Sequence, residues 1–334
     1  MDFRPSEDQL ELQAGITTFC TERCSDLELR RIDEAGGFDP TLWRDLAELG
    51  VFQLHLAAAN GGLGLGLADS VLVYEALGQR IVPGPLVYTQ LAASLVDGAA
   101  TGECVVGGLD LHLSPQGPHL VEYKEQLGAL LLLKEDGVYR VDTNDIAGRT
   151  IESPLDPLTP VFCAEQLPTG EKIGDEKTAQ RLRFEGMALS SALLLGIVES
   201  TLEIALAFAK EREQFGRAIG SFQSIKHMLA DMFTRQELAR ASVYAAGATL
   251  DDPGVGDLEQ AVRGAKLIAG EAATKNARAC IQIHGGMGYT WEVVDHYFLK
   301  RAMVLQNAFG VDRDHCEAIA KITEKVPLEI RYAG

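Results

Sequence analysis

Two segments of the chain carry side chains suited to a phosphate-bearing ligand. The first runs Lys210-Glu211-Arg212-Glu213-Gln214-Phe215-Gly216-Arg217-Ala218-Ile219-Gly220-Ser221-Phe222-Gln223 and places two guanidinium groups, Arg212 and Arg217, beside Gly216 and Gly220. Paired guanidinium donors next to a helix N-terminus suit a pyrophosphate, because their N–H forks match its oxygens and the helix dipole favours negative charge. The same stretch also reads as a solvated connection between helices. The second runs Gln282-Ile283-His284-Gly285-Gly286-Met287-Gly288-Tyr289. Adjacent glycines let a phosphate or sugar approach the backbone, and the Gln282 amide offers both donor and acceptor to an adenine or a ribitol. His284 alone reads as a structural histidine. A third glycine-rich stretch, Gly61-Gly62-Leu63-Gly64-Leu65-Gly66, lacks the G-x-G-x-x-G spacing and has no strand ahead of it, so it reads as a turn before a helix.

The elements that must hold these segments fall into three parts, 1–97, 98–180 and 181–334. In the first part, Ser6 with Gln9 predicts a capping box, followed by Leu10, Leu12, Ile16, Phe19 and Cys20 at helical spacing. Asp39-Pro40 predicts a second start, with Leu42, Leu46 and Leu49 ahead of Gly50. A third helix is expected over about 69–77, stopped by Gly78 and Pro83-Gly84-Pro85. The middle part has short apolar runs, Val105-Val106, Leu130 to Leu133, Val138 to Val141 and Val161-Phe162, between Gly, Pro, Asp and Asn, which is strand-and-turn chemistry. Alternation along these runs is poor. In the third part, Leu195, Val198, Leu202, Ala205 and Ala209 mark a helix from about 186 to Arg212. Further helices are expected from Ser221 (carrying Phe222, Ile225, Leu229, Met232 and Phe233), over Asp257–Ile281 (with Val262, Ile268 and Ala272 inward), over Trp291–Val304 and near Arg313–Lys325. Long antiparallel helices with short connections make a bundle.

Composition bounds the function. The chain has 334 residues, 46% of them hydrophobic and 23% charged, so it folds around sizeable cores. Its formal charge of −18 argues against nucleic acid and against anionic lipid as partners. The candidate apolar run Leu127 to Leu133, bracketed by Gln126 and Lys134, is too short to span a bilayer, and the acidic N-terminus does not read as a signal peptide. The six cysteines are scattered, and Cys20 with Cys24 lacks further nearby ligands, so buried thiols are expected and no metal site. A cytoplasmic protein is the expectation.

Taken together, the motifs resemble the acyl-CoA dehydrogenase family. The family's R-x-x-F-G-x-x-I-x-x-F-Q is matched by Arg212, Phe215, Gly216, Ile219, Phe222 and Gln223, and its Q-x-x-G-G-x-G-aromatic by Gln282, Gly285, Gly286, Gly288 and Tyr289. Gly61-Gly62-Leu63-Gly64 with Glu75-Ala76-Leu77-Gly78 is similar to its N-terminal G-G-x-G…E-x-L-G. The resemblance implies a mainly α fold with a small central β domain: an N-terminal helical domain, a reduced β domain and a C-terminal four-helix bundle. It implies FAD, α,β-dehydrogenation of an acyl-CoA by a glutamate base and flavin N5, and an electron-transfer acceptor. It also implies cofactor contacts from Arg212, Phe215, Gln223, Gln282, Ile283, Gly285 and Gly286.

Two departures shape that implication. Where the family carries its base, the similar stretch Leu305-Gln306-Asn307-Ala308-Phe309-Gly310 has Phe309, which cannot take a proton. Members with a base on the first bundle helix place it near Gly186, one residue from Glu185. One residue is about 100° of helix rotation, so Glu185 is expected to be an ordinary exposed carboxylate, with a relocated base as the alternative. The flavin-facing segment T-E-x-x-x-G-S-D and a W-x-[IV]-[ST] strand are missing from 98–180. The resemblance then implies the short non-catalytic subunit of an actinobacterial-type heteromeric dehydrogenase, α2β2. A full-length partner would supply the base and bind most of the acyl-CoA, which could be a steroid side-chain ester. The alternatives are a self-sufficient homo-oligomer, a monooxygenase-like relative and a flavin-free scaffold.

Overall fold

The structure is a computed structural model describing residues 4–112, 116–290 and 292–324. Its helical opening starts where the capping box places it. Ser6 Oγ accepts from the Gln9 N–H at 3.3 Å and Gln9 Oε1 accepts from the Ser6 N–H at 2.9 Å, fixing α1 (Glu7–Arg23). α2 (Asp26–Glu34) was not expected. Its sequence is charge-rich, and only Leu29 and Ile32, three apart, turn inward. α3 (Pro40–Glu48) is capped by Asp39, whose Oδ1 accepts from Thr41 N and Leu42 N. Leu42 and Leu46 are buried as expected, while Leu49 and Leu10 are exposed. α4 (Leu67–Gln79) is two residues longer at each end than its apolar pattern, and a further short helix, α5 (Leu86–Ala92), follows the prolines.

Among the described residues, the middle of the chain forms seven strands in two sheets. β1 (Val106–Asp110), β3 (Ala129–Lys134), β4 (Gly137–Val141) and β7 (Glu171–Asp175) form one sheet, with β1 and β3 parallel. β2 (His119–Glu122), β6 (Val161–Ala164) and β5 (Gly148–Thr150) form the other, antiparallel throughout. The poor alternation of Leu130–Leu133 now has a cause. Leu131 and Leu133 join the helical core while Leu130 and Leu132 pack with Val121 and Tyr123, so β3 is buried on both faces and reads as a continuous apolar run.

α6 (Glu176–Glu211) begins well before the expected 186. It packs against α7 (Gln223–Asp251), α8 (Leu258–His284) and α9 (Asp295–Gln306), with α10 (Asp312–Glu324) against α8. Trp291 and Lys325, the expected bounds of the last two helices, lie outside the described residues. α6 also contains an 18-residue stretch apolar enough to cross a membrane, which the run-length criterion missed because Ser, Thr and Glu interrupt it. Of that stretch, 72% is buried within the protein. Phe233 on α7 and Ile268 on α8 point outward, not into the core. Leu238 on α7 is exposed as well.

α4 crosses α6 at two glycines. A Cβ at Gly78 would sit 2.2 Å from Leu193 O, and one at Gly196 would sit 2.1 Å from Glu75 O. Beside this crossing lies a buried carboxylate pair. Glu75 Oε2 accepts from Gln13 Nε2 at 2.9 Å and from Tyr244 Oη at 2.8 Å. Glu199 accepts from Gln79 Nε2 at 2.7 Å and pairs with Arg240. Desolvation, reinforced by Glu199, pushes the Glu75 carboxyl well above the ordinary carboxylate range. Because its folded-state pKa is raised, its stability contribution is complete at acid pH and declines as pH rises past the unfolded carboxylate range towards the folded value. Thermal melts from pH 5 to 9 are therefore expected to fall less steeply for Glu75→Gln than for the unmodified chain. Parallel slopes would show that Glu75 is ionised in the fold.

Candidate functional site

The residues singled out by sequence occupy two separate places. The first is the shared end of α6 and α8. Arg212 caps α6 and is exposed, and no ion pair or hydrogen bond within the described residues occupies its guanidinium. A short hairpin follows, β8 (Glu213–Gln214) and β9 (Arg217–Ala218), turning through Phe215 and Gly216 at φ of 54° and 78°. The turn leaves the Phe215 ring 92% exposed, edge-on to Phe222, while the Arg217 guanidinium sits 4.1 Å over the Phe222 ring. Gln223 opens α7 and is exposed.

The second motif closes onto the first. His284, the last residue of α8, stacks on Phe208 of α6 with centroids 4.0 Å apart. Its Nδ1 lies 2.8 Å from Asp295 Oδ2 and 3.0 Å from Cys280 O, so the histidine ties α6, α8 and α9 together. Desolvation opposes charge on the ring, but Asp295 and the Cys280 carbonyl raise its pKa above the ordinary value. Cys280, His284 and Asp295 are all buried with ligand atoms within 4.8 Å of one another, and the Nδ1 that faces Asp295 is engaged by hydrogen bonding. Gln282 is exposed, and side chains added at Gly285 and Gly286 would meet nothing within 4 Å, so an open backbone edge flanks Arg212. Ile283 is different. Its side chain is buried among Leu202, Met232 and Cys280, so only its backbone can face a ligand.

The other place is where a base was looked for. Phe309 is 4% exposed and adopts φ of 59°. Its ring stacks on Tyr88 of α5 at 5.1 Å and fills the space beside Gly186, where a Cβ would lie 2.3 Å from Phe309 Cζ. The two positions at which a base was expected therefore face each other, and one aromatic ring occupies both. Glu185 does not face this space. It is buried well inside α6, not exposed as expected, and pairs with Arg181 at 2.7 Å beside Phe52, Gln90 and Leu91. From below, Lys266 donates to Leu305 O, and burial lowers its ammonium to about 7. Tyr88 and Lys266 were invisible as site residues, because an aromatic and a lysine inside helical patterns carry no motif.

In front of Phe309 lies a cleft of about 790 Å³ between the second sheet and the α9–α10 connection. Four carboxylates line it: Asp110, bonded to Arg183 at 2.9 Å; Asp156, bonded to Arg301; Glu122; and Asp314. Arg301 also donates to Val82 O at 3.1 Å, tying α9 to the segment after α4. Desolvation raises the Glu122 carboxyl, with Arg301 opposing and Asp156 reinforcing.

Residues 6–103 match the acyl-CoA dehydrogenase N-terminal domain and residues 178–323 the acyl-CoA dehydrogenase C-terminal domain. The acyl-CoA dehydrogenase IpdE2 of Mycobacterium tuberculosis is 31% identical over 313 residues, 89% of this chain and 92% of that protein. FadE34 of the same organism is 32% identical over 286 residues, 77% of this chain and 38% of that protein. In fold, the chain is similar to a chain of the ChsE4-ChsE5 complex of Mycobacterium tuberculosis, with a TM-score of 0.85 and 22% identity over 98% of this chain and 100% of that one. It is also similar to the Tcur3481-Tcur3483 steroid acyl-CoA dehydrogenase G363A variant, with a TM-score of 0.84 and 23% identity over 95% and 98%.

The Phe309–Gly186 contact is testable by a double-mutant cycle. Phe309→Ala is expected to cost about 3–5 kcal/mol by cavity formation. Gly186→Ala is expected to cost about 1–3 kcal/mol by overpacking. In the double variant the costs should fall well short of their sum. Additive costs from denaturant melts would show that the two positions do not touch.

Proposed function

Because the chain belongs to the acyl-CoA dehydrogenase family, we propose that it is the non-catalytic subunit of a heteromeric dehydrogenase, completing the FAD site of a full-length partner. FAD is the family's cofactor, and when bound it accepts the substrate's β-hydrogen as hydride. The observation that carries the reading is the Phe309 ring lying against both Gly186 and Tyr88. No carboxylate occupies either base position, so no side chain there can remove an α-proton.

The fit differs at the two ends of the cofactor. The edge formed by Arg212, Gln223, Gln282, Gly285 and Gly286 suits an adenosine diphosphate moiety. A guanidinium without a partner among the described residues, exposed amides and bare backbone share one end of the bundle. The cleft before Phe309 does not suit the ring end, because its carboxylates penalise negative charge on a reduced flavin. The assembly in this reading is α2β2. In this reading residues 1–97, 98–180 and 181–334 serve as helical, reduced β and cofactor-contacting bundle domains. The partner holds the acyl-CoA, with a steroid side-chain ester as the substrate class, and passes electrons to a separate acceptor. The heteromeric relatives in fold and the steroid dehydrogenase among them support that choice. Glu185, held by Arg181, takes no part in proton transfer.

Expressed alone, the chain is expected to purify with little FAD and no turnover. Co-expressed with a full-length dehydrogenase encoded nearby, it should give a yellow complex with one FAD per pair of chains. One FAD per chain with turnover in the isolated protein would overturn the reading. In the complex, Arg212→Ala removes a charge-assisted hydrogen bond worth about 1.5–3 kcal/mol, so flavin retention should fall by about one to two orders of magnitude with assembly intact. Unchanged flavin content would return Arg212 to the solvated surface. Steady-state assays of Glu185→Gln should show retained turnover, and its loss would move the base onto this chain.

A further inference from the structure

The cleft in front of Phe309 is left without a ligand by the reading above, yet its walls have the character of a binding site. Its depth is apolar, with Tyr88, Met303, Val304 and Phe309. At its sides Leu120 and Leu155 are 57% and 53% exposed, although single exposed leucines are ordinarily scattered rather than gathered on one concave surface. Glu122 shares its strand with Leu120 two residues away, so both point to the same side of β2 and line the cleft. Asp110 and Asp156 are engaged by Arg183 and Arg301, whereas Glu122 and Asp314 have no ion-pair partner among the described residues. Arg313, the cleft's remaining cation, faces Glu317 at 3.6 Å with its side chain 81% exposed.

From volume, apolar depth and two lining carboxylates without an ion-pair partner among the described residues, we infer that this cleft binds a neutral, largely apolar alcohol, of isoprenoid or fused-ring size, whose hydroxyl donates to Glu122. Glu122 offers carboxyl oxygens that accept, which a hydroxyl donor matches. An anionic end brought beside Glu122 and Asp314 meets like charge in a partly desolvated space, which is a device for rejection. Apolar area removed from water supplies the affinity, and the carboxylate supplies the selection. The inference rests on the reading above only in requiring that the cleft hold no flavin.

The test uses the co-expressed complex, with its flavin content measured first by absorbance. Farnesol and farnesyl phosphate share one apolar chain and differ in the charge of the head, so calorimetric titration of each isolates the charge selection. Farnesol is expected to bind, and farnesyl phosphate to bind at least about tenfold more weakly. Glu122→Gln should narrow that difference several-fold, and Leu155→Asp at the rim should weaken farnesol with the melting temperature unchanged. Absent farnesol binding, equal binding of the phosphate, or farnesol binding indifferent to both substitutions would each overturn the inference. One flavin per pair of chains without farnesol binding would sink this inference alone, whereas two flavins per pair would sink the proposed function as well.

Discussion

The contact on which the arrangement depends is the glycine crossing of α4 and α6. Without side chains at Gly78 and Gly196, the backbones of the two helices approach until one meets the other's carbonyls. Any larger residue would force them apart, because a packed core has no slack to absorb a methyl group at that distance. α6 is thereby pinned near its middle. Its N-terminal half carries Gly186 towards α5 and the α9–α10 connection, and its C-terminal end carries Arg212 to the far end of the bundle. Both functional places are set by the direction of this one helix.

At its N-terminal half the consequence is a sealed site. Phe309, in a left-handed conformation, reaches the gap that Gly186 leaves and stacks on Tyr88. A left-handed backbone at a phenylalanine is uncommon and is retained where the surroundings over-determine it. Here they do: the ring is enclosed, and the last turn of α9 just before it is held by Lys266 Nζ donating to Leu305 O. An aromatic ring in this position stabilises the fold by burial where a carboxylate would cost desolvation.

At the other end the constraint is the opposite. His284 stacks on Phe208 and bonds Asp295, which makes the support for the glycine edge rigid while the edge itself stays bare. Charge is divided in the same way. In a chain of net charge −18, the cleft before Phe309 collects carboxylates, and the α6–α8 end keeps Arg212 free of partners among the described residues.

The sequence alone determined what is encoded locally. Capping chemistry placed the starts of α1 and α3, apolar spacing placed most long helices, and the glycine and arginine motifs marked the connections after α6 and α8, because each depends on residues within a few positions of one another. It also determined that no carboxylate stands at Phe309. What it missed is short or charge-rich: α2 and α5 have too few inward residues to set a period. The inward assignment of Ile268 failed because helical spacing identifies an apolar face without saying whether the chain itself covers it. Only the tertiary structure decided that Glu185 is buried on Arg181, that Ile283 turns into the core, and that Phe309 and Gly186, 123 positions apart in the chain, share one space. These are contacts between segments distant in sequence. They depend on how closely helices cross, a property of packing that no local pattern of residues contains.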